Sequence, residues 1–426
     1  MGQAKYRLEG TDGTLHGNSL EIEPAPEVRI AEDTRIKALV GVWIDVDAPP
    51  IGGGGAGLVT AAAPGHAIGG LDALGLWTDK FETHRAVLAP ANAVKGHGDV
   101  VSGTKRDIQV DLPQNPLRYL NVYVIMTPEQ NLLIDTGFNR VECRDALWNG
   151  IRELDLDLAK TSVFLTHLHS DHTGLAEDFA LQGCPIYMGR IDYCYLKGMK
   201  AGKHLNAVEE LFRQEGFPAE QLARQGLENQ GRRYSVAQMF PASLVDDGSI
   251  IRLGGLEVQC VHTPGHTPGH MVLYLPKEQL LFSGDHVLFD ITPNIAVWHG
   301  VPHSLEDYLS SLEKIRNIPI KATFPAHRHG ESDIYQRIDA LQAHHRERLE
   351  EIRQAVENHP ETTAYQIAGL ISWSARGLGW EQFPPHQKWF AMGETLAHLR
   401  YLQEHKQVLR NERSELVHYA PIDFAW

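Results

Sequence analysis

The sequence predicts an α/β fold in the middle of the chain, set between an N-terminal extension (residues 1–103) and a C-terminal helical domain (residues 336–426). Three observations predict it. From about residue 104 to 335, short β-branched and apolar runs alternate with amphipathic stretches, the pattern of strands and helices built around a largely buried sheet. Within that span, histidine- and aspartate-bearing motifs recur just after strand-like runs. Beyond residue 336 the strand pattern gives way to apolar residues at three-and-four spacing. The chain has 426 residues, 42 % apolar and 22 % charged, which is globular composition and enough for two or three domains.

The N-terminal 103 residues carry no function legible in the sequence. Arg35 to Val46 reads as a strand, stopped by Pro49, Pro50 and the Gly52–Gly55 run. No Gly-Lys-Ser/Thr follows those glycines, so they read as a linker rather than a phosphate cradle. The next strands are Ile108–Leu112, Leu120–Met126, Asn131–Asp135 and Ser162–Thr166, the last running straight into His167. Leu256–Val261, Met271–Leu275 and Leu280–Ser283 follow, with helices at Leu205–Gln214 and Ser304–Ile315. In the C-terminal part, Ile338, Leu341, His345, Leu349, Ile352 and Val356 stripe one face of a long helix. Thr362 or Thr363 caps a second helix through Ile371. Pro384 and Pro385 open a third, with Trp389, Met392, Leu396, Leu399 and Leu402 on its apolar side, and a strand lies near Leu416–Tyr419.

Composition removes several function classes. The net charge of −15 repels phosphate backbones and disfavours a general nucleic-acid binder. Four cysteines without a CxxC pair argue against a disulfide framework or a zinc knuckle. No run approaches the ~18–20 apolar residues of a membrane span, and the first residues lack a secretory layout. A cytoplasmic protein with no membrane partner is the expectation.

The 23 histidines carry the chemistry. In Thr166-His167-Leu168-His169-Ser170-Asp171-His172, an extended backbone points His167 and His169 to the same side, where both can reach one ion. Asp171 and His172 follow as the chain turns and can reach a second. Val261-His262-Thr263-Pro264-Gly265-His266-Thr267-Pro268-Gly269-His270 is a Pro/Gly-built loop after a strand that presents His266. Phe282-Ser283-Gly284-Asp285 puts a carboxylate beyond another strand, and Phe324-Pro325-Ala326-His327 does the same with an imidazole. Each strand end thus delivers a ligand-type side chain to one edge, where α/β domains build sites.

This ordered set, with Asn121-Val-Tyr-Val-Ile and the Asp135-Thr136-Gly137 turn, resembles the metallo-β-lactamase superfamily over about residues 104–335, in particular its dinuclear hydrolase branch, similar to glyoxalase II and LACTB-type relatives. The resemblance implies an αββα sandwich with metals at one edge, followed by a small winged-helix-like appendage. It further implies two divalent ions, zinc first with iron or manganese as alternatives. His167, His169 and His266 would hold one, Asp171, His172 and His327 the other, and Asp285 would bridge. A hydroxide between the two metals, oriented by Asp171 and Asp285, would attack an activated acyl or phosphoryl bond. His262, His270 and His329 take supporting or substrate-contact roles.

Departures narrow the substrate. Leu288 stands where lactonases of the family place a tyrosine, and His286-Val-Leu-Phe-Asp replaces the glutathione-binding stretch of glyoxalase II. The reading is therefore hydrolysis of a small acyl substrate, thioester before lactone. An RNA-processing hydrolase of the same fold, or a mononuclear iron enzyme like the persulfide dioxygenases, is the alternative. An insertion at about 190–245 carries Tyr193, Tyr195, Met199, Leu211, Phe212, Phe217, Met239 and Phe240, which either face the metal edge as an apolar lid or pack a small core of their own. Lys197, Lys200 and Lys203 form an anion clamp or a solvated basic loop.

Overall fold

The computed structural model describes residues 108–112, 115, 117–328, 333–373 and 379–424, together with the backbone of two short strands, β1 (Arg35–Ala38) and β2 (Val42–Asp45). His329 and the rest of the N-terminal extension lie outside the described residues. The single strand expected at 35–46 is instead this antiparallel pair, Arg35 opposite Asp45, and β1 pairs in turn with the strand Tyr119–Met126, Lys37 opposite Met126. A pair leaves fewer edge groups unbonded than one lone strand would.

The first sheet runs β2-β1-β4-β5-β6-β7-β8, with β3 on β4. Its strands are β3 (Ile108–Asp111), β4 (Tyr119–Met126), β5 (Asn131–Ile134), β6 (Thr161–Leu165), β7 (Ile186–Gly189) and β8 (Ser243–Val245). The second sheet, in the order β13-β12-β11-β10-β9, contains β9 (Ile250–Leu253), β10 (Leu256–His262), β11 (Met271–Leu275), β12 (Leu280–Gly284) and β13 (Ala322–Pro325).

Alternation of side chains sorts these strands into layers. Leu132, Ile134 and Phe164 face the second sheet and meet Val258, Cys260, Leu273, Phe282 and Phe324. Leu133, Val163 and Leu165 face the other way, where α1 (Val141–Glu153) brings Cys143, Leu147 and Ile151. On the far side, Leu305, Tyr308, Leu312 and Ile315 of α8 (Ser304–Arg316) cover Val272, Tyr274 and Leu281. The result is a four-layer αββα sandwich, and both sheets are buried on two faces. That is why β5, β11 and β12 read as continuous apolar runs.

The C-terminal region holds α9 (Ile334–Asn358), α10 (Ala364–Leu370), α11 (Pro385–Glu404) and a hairpin of β14 (Val408–Arg413) and β15 (Leu416–Pro421). Thr363 is the cap of α10: its hydroxyl accepts from the Gln366 amide while the Gln366 side chain accepts from Thr363 N–H. The 190–245 insertion folds as α4 (Arg190–Lys200), α5 (Leu205–Gln214), α6 (Ala219–Glu228) and α7 (Gln230–Arg233) before joining β8. Its apolar residues are divided between two cores. Tyr195 and Phe240 pack with the first sheet, and Phe212, Phe217 and Leu222 pack with Ile367, Met392 and Leu396. The large apolar side chains expected of a lid face are used mostly in packing.

Candidate metal centre

The loops after β6, β10, β12 and β13 meet at one edge of the sandwich. His167 and His169 leave β6, and the one-turn helix α2 (Ser170–Thr173) carries Asp171 and His172. His266 sits in the loop joining β10 to β11. Gly265 permits that loop by adopting φ +135°, and a Cβ there would meet Tyr308 Cβ at 2.4 Å. Asp285 follows β12 through Gly284, whose φ of +50° turns the chain under His270. His327 follows β13.

The seven predicted side chains come together. His169 Nδ1 lies 3.0 Å from both His167 Nε2 and His266 Nε2. His327 Nε2 lies 3.4 Å from Asp171 Oδ2 and 3.4 Å from Asp285 Oδ1, and His172 Nε2 lies 3.8 and 3.7 Å from the same two atoms. Asp285 Oδ2 is 3.5 Å from His266 Nε2, so this carboxylate faces both groups. His167–His169–His266, His167–His172–Asp285 and Asp171–His172–His327 each converge with their donor atoms within 4.8 Å.

Whether such a set suits cations is decided by its unmatched atoms. His172 Nε2, His327 Nε2 and Asp285 Oδ1 are buried and have no hydrogen-bond partner among the described residues. Buried polar atoms are ordinarily bonded, and three orphans aimed at one spot fit a divalent ion with N/O ligands. The far sides of the rings are tied down in the manner of metal ligands. His172 Nδ1 bonds Asp135 Oδ2 at 2.8 Å, His266 Nδ1 donates to the Asn294 carbonyl at 2.9 Å, and His327 Nδ1 to the Tyr119 carbonyl at 2.8 Å. Asp135 also accepts from the Thr166 amide and hydroxyl, which fixes the start of the motif.

Electrostatics separate the two groups. Burial holds His167 well below the usual imidazole range, pushes His169 down to about 3 and lowers His266 to about 4, so all three are neutral donors. Burial also acts to lower His172 and His327, but carboxylates outweigh it: Asp135, Asp171 and Asp285 raise His172 to about 10, and Asp285 and Asp171 raise His327. Burial works to raise Asp171, yet His172 and His327 bring it below the ordinary carboxylate range. The second group therefore carries the charge that cations would replace as competitors for the same lone pairs.

Several contributors have no signature in a single sequence. Asp192, in the first turn of α4, is fully buried and accepts from Leu168 N–H (2.8 Å), Thr267 Oγ1 (2.6 Å) and Gly269 N–H (2.6 Å). It ties the His167–His169 loop to the His266 loop, and burial pushes its carboxyl up to about 7 against those bonds. The Trp298 ring lies 5.6 Å from the His169 ring, and its Nε1–H donates to the His266 carbonyl. Of the supporting histidines, His270 bonds Thr263 Oγ1 and accepts from Asp285 N–H, and His262 donates to the Pro268 carbonyl. Lys200 donates to the Val236 carbonyl, while Lys197 and Lys203 are exposed. Leu288 is buried.

Comparison with known proteins agrees with this geometry. The family described as Metallo-beta-lactamase superfamily matches residues 116–327, and Metallo-beta-lactamase-like, C-terminal domain, matches 349–422. The chain is 26 % identical over 260 residues to a Beta-lactamase-like protein 2 homolog of Caenorhabditis elegans, covering 60 % of this chain and 71 % of that one. It is 28 % identical over 229 residues to an Atrochrysone carboxyl ACP thioesterase of Emericella nidulans, covering 54 % of this chain and 57 % of the relative. A crystal structure of a metallo-β-lactamase family protein from Thermus thermophilus superposes with a TM-score of 0.63 at 27 % identity, over 74 % of this chain and 97 % of that one.

Proposed function

The chain belongs to the metallo-β-lactamase superfamily, and on that premise we propose that it is a dinuclear metal hydrolase of acyl thioesters. The observation that carries the reading is the set of three buried, unbonded atoms, His172 Nε2, His327 Nε2 and Asp285 Oδ1, beside three neutral imidazoles in which His169 Nδ1 lies 3.0 Å from both His167 Nε2 and His266 Nε2. His167, His169 and His266 hold the first ion in this reading, Asp171, His172 and His327 the second, and Asp285 both. Zinc suits the mixture of imidazole and carboxylate. Bound there, two such ions supply a water of lowered pKa and electrophilic pull on an acyl oxygen.

The chain's own residues do the rest. Asp171 presents a carboxylate oxygen to the second group and Asp285 to both, and the two would orient a water by accepting its hydrogen bonds. Asp135 and the Asn294 and Tyr119 carbonyls keep the imidazoles in the tautomers that aim their free nitrogens inward. With His169 and His266 neutral and committed as donors, the site favours a leaving group that departs unprotonated. A thiolate, with a thiol pKa of ~8.5, does so where an amine or alkoxide does not. The thioesterase name of the Emericella relative points the same way, and the buried Leu288 offers no phenol for a lactone.

The test is the hydrolysis rate of zinc-loaded protein on a medium-chain acyl thioester and the matching acyl lactone. The thioester is expected to turn over faster. A lactone preference would overturn the substrate assignment while leaving the metal assignment to its own titration.

A further inference from the structure

Two C-terminal helices hold the loop that runs on from Asp285: Arg337 of α9 donates to the Leu288 and Ile291 carbonyls, and α11 takes the stretch beyond. Three successive points of α11 grip the segment 294–298. The Asn294 side-chain amide donates to Glu394 Oε2 (3.2 Å) and to the Phe390 carbonyl (3.4 Å), and Val297 N–H donates to the Gly393 carbonyl (3.3 Å). Gly393 allows the approach, because a Cβ there would stand 3.0 Å from Ala296 Cβ. The gripped segment in turn holds His266 at both ends. Its Asn294 carbonyl accepts from the ring at Nδ1, and its Trp298 indole donates to the His266 carbonyl while lying against the His169 ring. Glu394 is itself nearly buried, 8 % exposed, with Arg348 of α9 behind it at 3.6 Å.

We propose that Glu394 is a positioning residue for the first metal group, setting His266 through Asn294, so that the C-terminal region is part of the metal centre. The inference rests on the metal-binding reading above but not on the substrate. An imidazole that donates from Nδ1 to a fixed carbonyl has its Nε2 lone pair fixed in direction, and a partner of this kind is worth ~10–100-fold in metal affinity. Here the fixed carbonyl belongs to Asn294, and the side chain of the same residue is what α11 holds. Among the described residues the ring partners of the second group do not run through Asn294: His172 leans on Asp135, and His327 on Tyr119, so Asp285 is the one side chain the two groups share.

The experiment is a cobalt(II) titration of the metal-free full-length protein, followed by visible absorption, which resolves successive sites without any substrate. Glu394→Ala is expected to weaken one site by about 10–100-fold and leave the other unchanged. Glu394→Gln keeps an acceptor for the Asn294 amide and is expected to stay within about threefold of the parent. Asn294→Ala breaks the same link from the other side together with the bond to Phe390, so the double variant with Glu394→Ala should be no weaker than Asn294→Ala alone. Equal weakening of both sites, no weakening of either, or full additivity would overturn the proposal. If Glu394→Ala does not fold, Gly393→Ala decides alone, since it displaces the segment by a few tenths of an ångström: loss at one site supports the link, and two unchanged or equally weakened sites refute it. Failure of thioester hydrolysis would leave each of these readings intact.

Discussion

The molecule buries titratable side chains in two places and resolves the cost differently in each. At the sandwich edge, imidazoles and carboxylates converge from both sheets and leave His172 Nε2, His327 Nε2 and Asp285 Oδ1 without hydrogen-bond partners among the described residues. In the C-terminal region and the insertion packed on it, Glu215 at the end of α5 accepts from the Tyr419 hydroxyl and lies 3.5 Å from Arg410, Glu394 faces Arg348, and His345 bonds His398 at 3.1 Å. Burial is as deep in the second place as in the first. What differs is the arrangement: Glu215 Oε2, His345 Nε2 and Arg348 Nε also lack hydrogen-bond partners there, but guanidinium groups and a hydroxyl stand beside the buried acids and no three buried imidazole or carboxylate atoms converge among the described residues, whereas at the edge they do. Buried histidine is therefore a poor marker of a metal site, and convergent unpaired donors are a good one.

The contrast can be tested from its strong end downward. Asp285→Asn removes the carboxylate that faces both groups and should cut thioester turnover by about a thousandfold or more, with a lower metal-to-protein ratio by elemental analysis. His266→Ala should abolish tight binding of one ion and retain the other. Full metal content with full activity would put the first group in the wrong place. Asp192→Ala strands two amides and a hydroxyl, each at about 1–3 kcal/mol. It should therefore destabilise the metal-free protein by several kcal/mol in urea, which no loss at an exposed site would do.

The C-terminal region and the insertion packed on it supply the smaller effects. Burial raises Glu215 to about 7 despite Arg410 and Tyr419. Its folded pKa lies above the unfolded value, so the stability it contributes is complete below about pH 4.5 and is lost as pH rises through about 7, at most about 3 kcal/mol. Urea denaturation of Glu215→Gln against the parent should show the variant gaining on it between pH 5 and pH 8. A constant difference across that range would mean the ion pair keeps Glu215 charged throughout. His345→Leu, in the same interior, should leave cobalt stoichiometry untouched and shift stability by about 1 kcal/mol.

Much of the edge was legible because its signals are local. His167, His169, Asp171 and His172 fall within six residues, Asp285 and His327 each follow an apolar run that reads as a strand, and His266 sits in a Pro/Gly-built loop after another. Helix boundaries with strong local chemistry were also readable: α5 spans Leu205–Gln214 as expected, and Thr363 caps α10. What the sequence concealed depends on contacts between distant segments. Asp192 is an ordinary acidic residue on a helix until the fold brings Leu168 and Gly269 to it, 24 and 77 positions away. Ile186–Gly189, Ser243–Val245 and Val408–Arg413 are too short or too polar to announce strands, and only pairing makes them so. For the insertion's aromatics a lid face and a small core of their own both stay open in the sequence, because a single sequence cannot tell a face that meets solvent from one that meets α10 and α11.

One property of the edge reaches beyond chemistry. The first sheet supplies His167, His169, Asp171 and His172, and the second supplies His266, Asp285 and His327, so each ion in the proposed centre would rivet one half of the sandwich to the other. Just inside that edge, three residues before Asp285 and His327, the same interface is joined by the Tyr123, Phe282 and Phe324 rings, with centroids 4.9–5.6 Å apart, and by apolar packing. Chelation would then act like drawing the pin from a hinge: the halves stay closed along their greasy seam but gape first where the ions had been. Amide exchange should quicken around residues 166–172 and 263–270 before it does in β5 or β11. For such a protein, scarcity of metal would be felt as fragility as well as idleness.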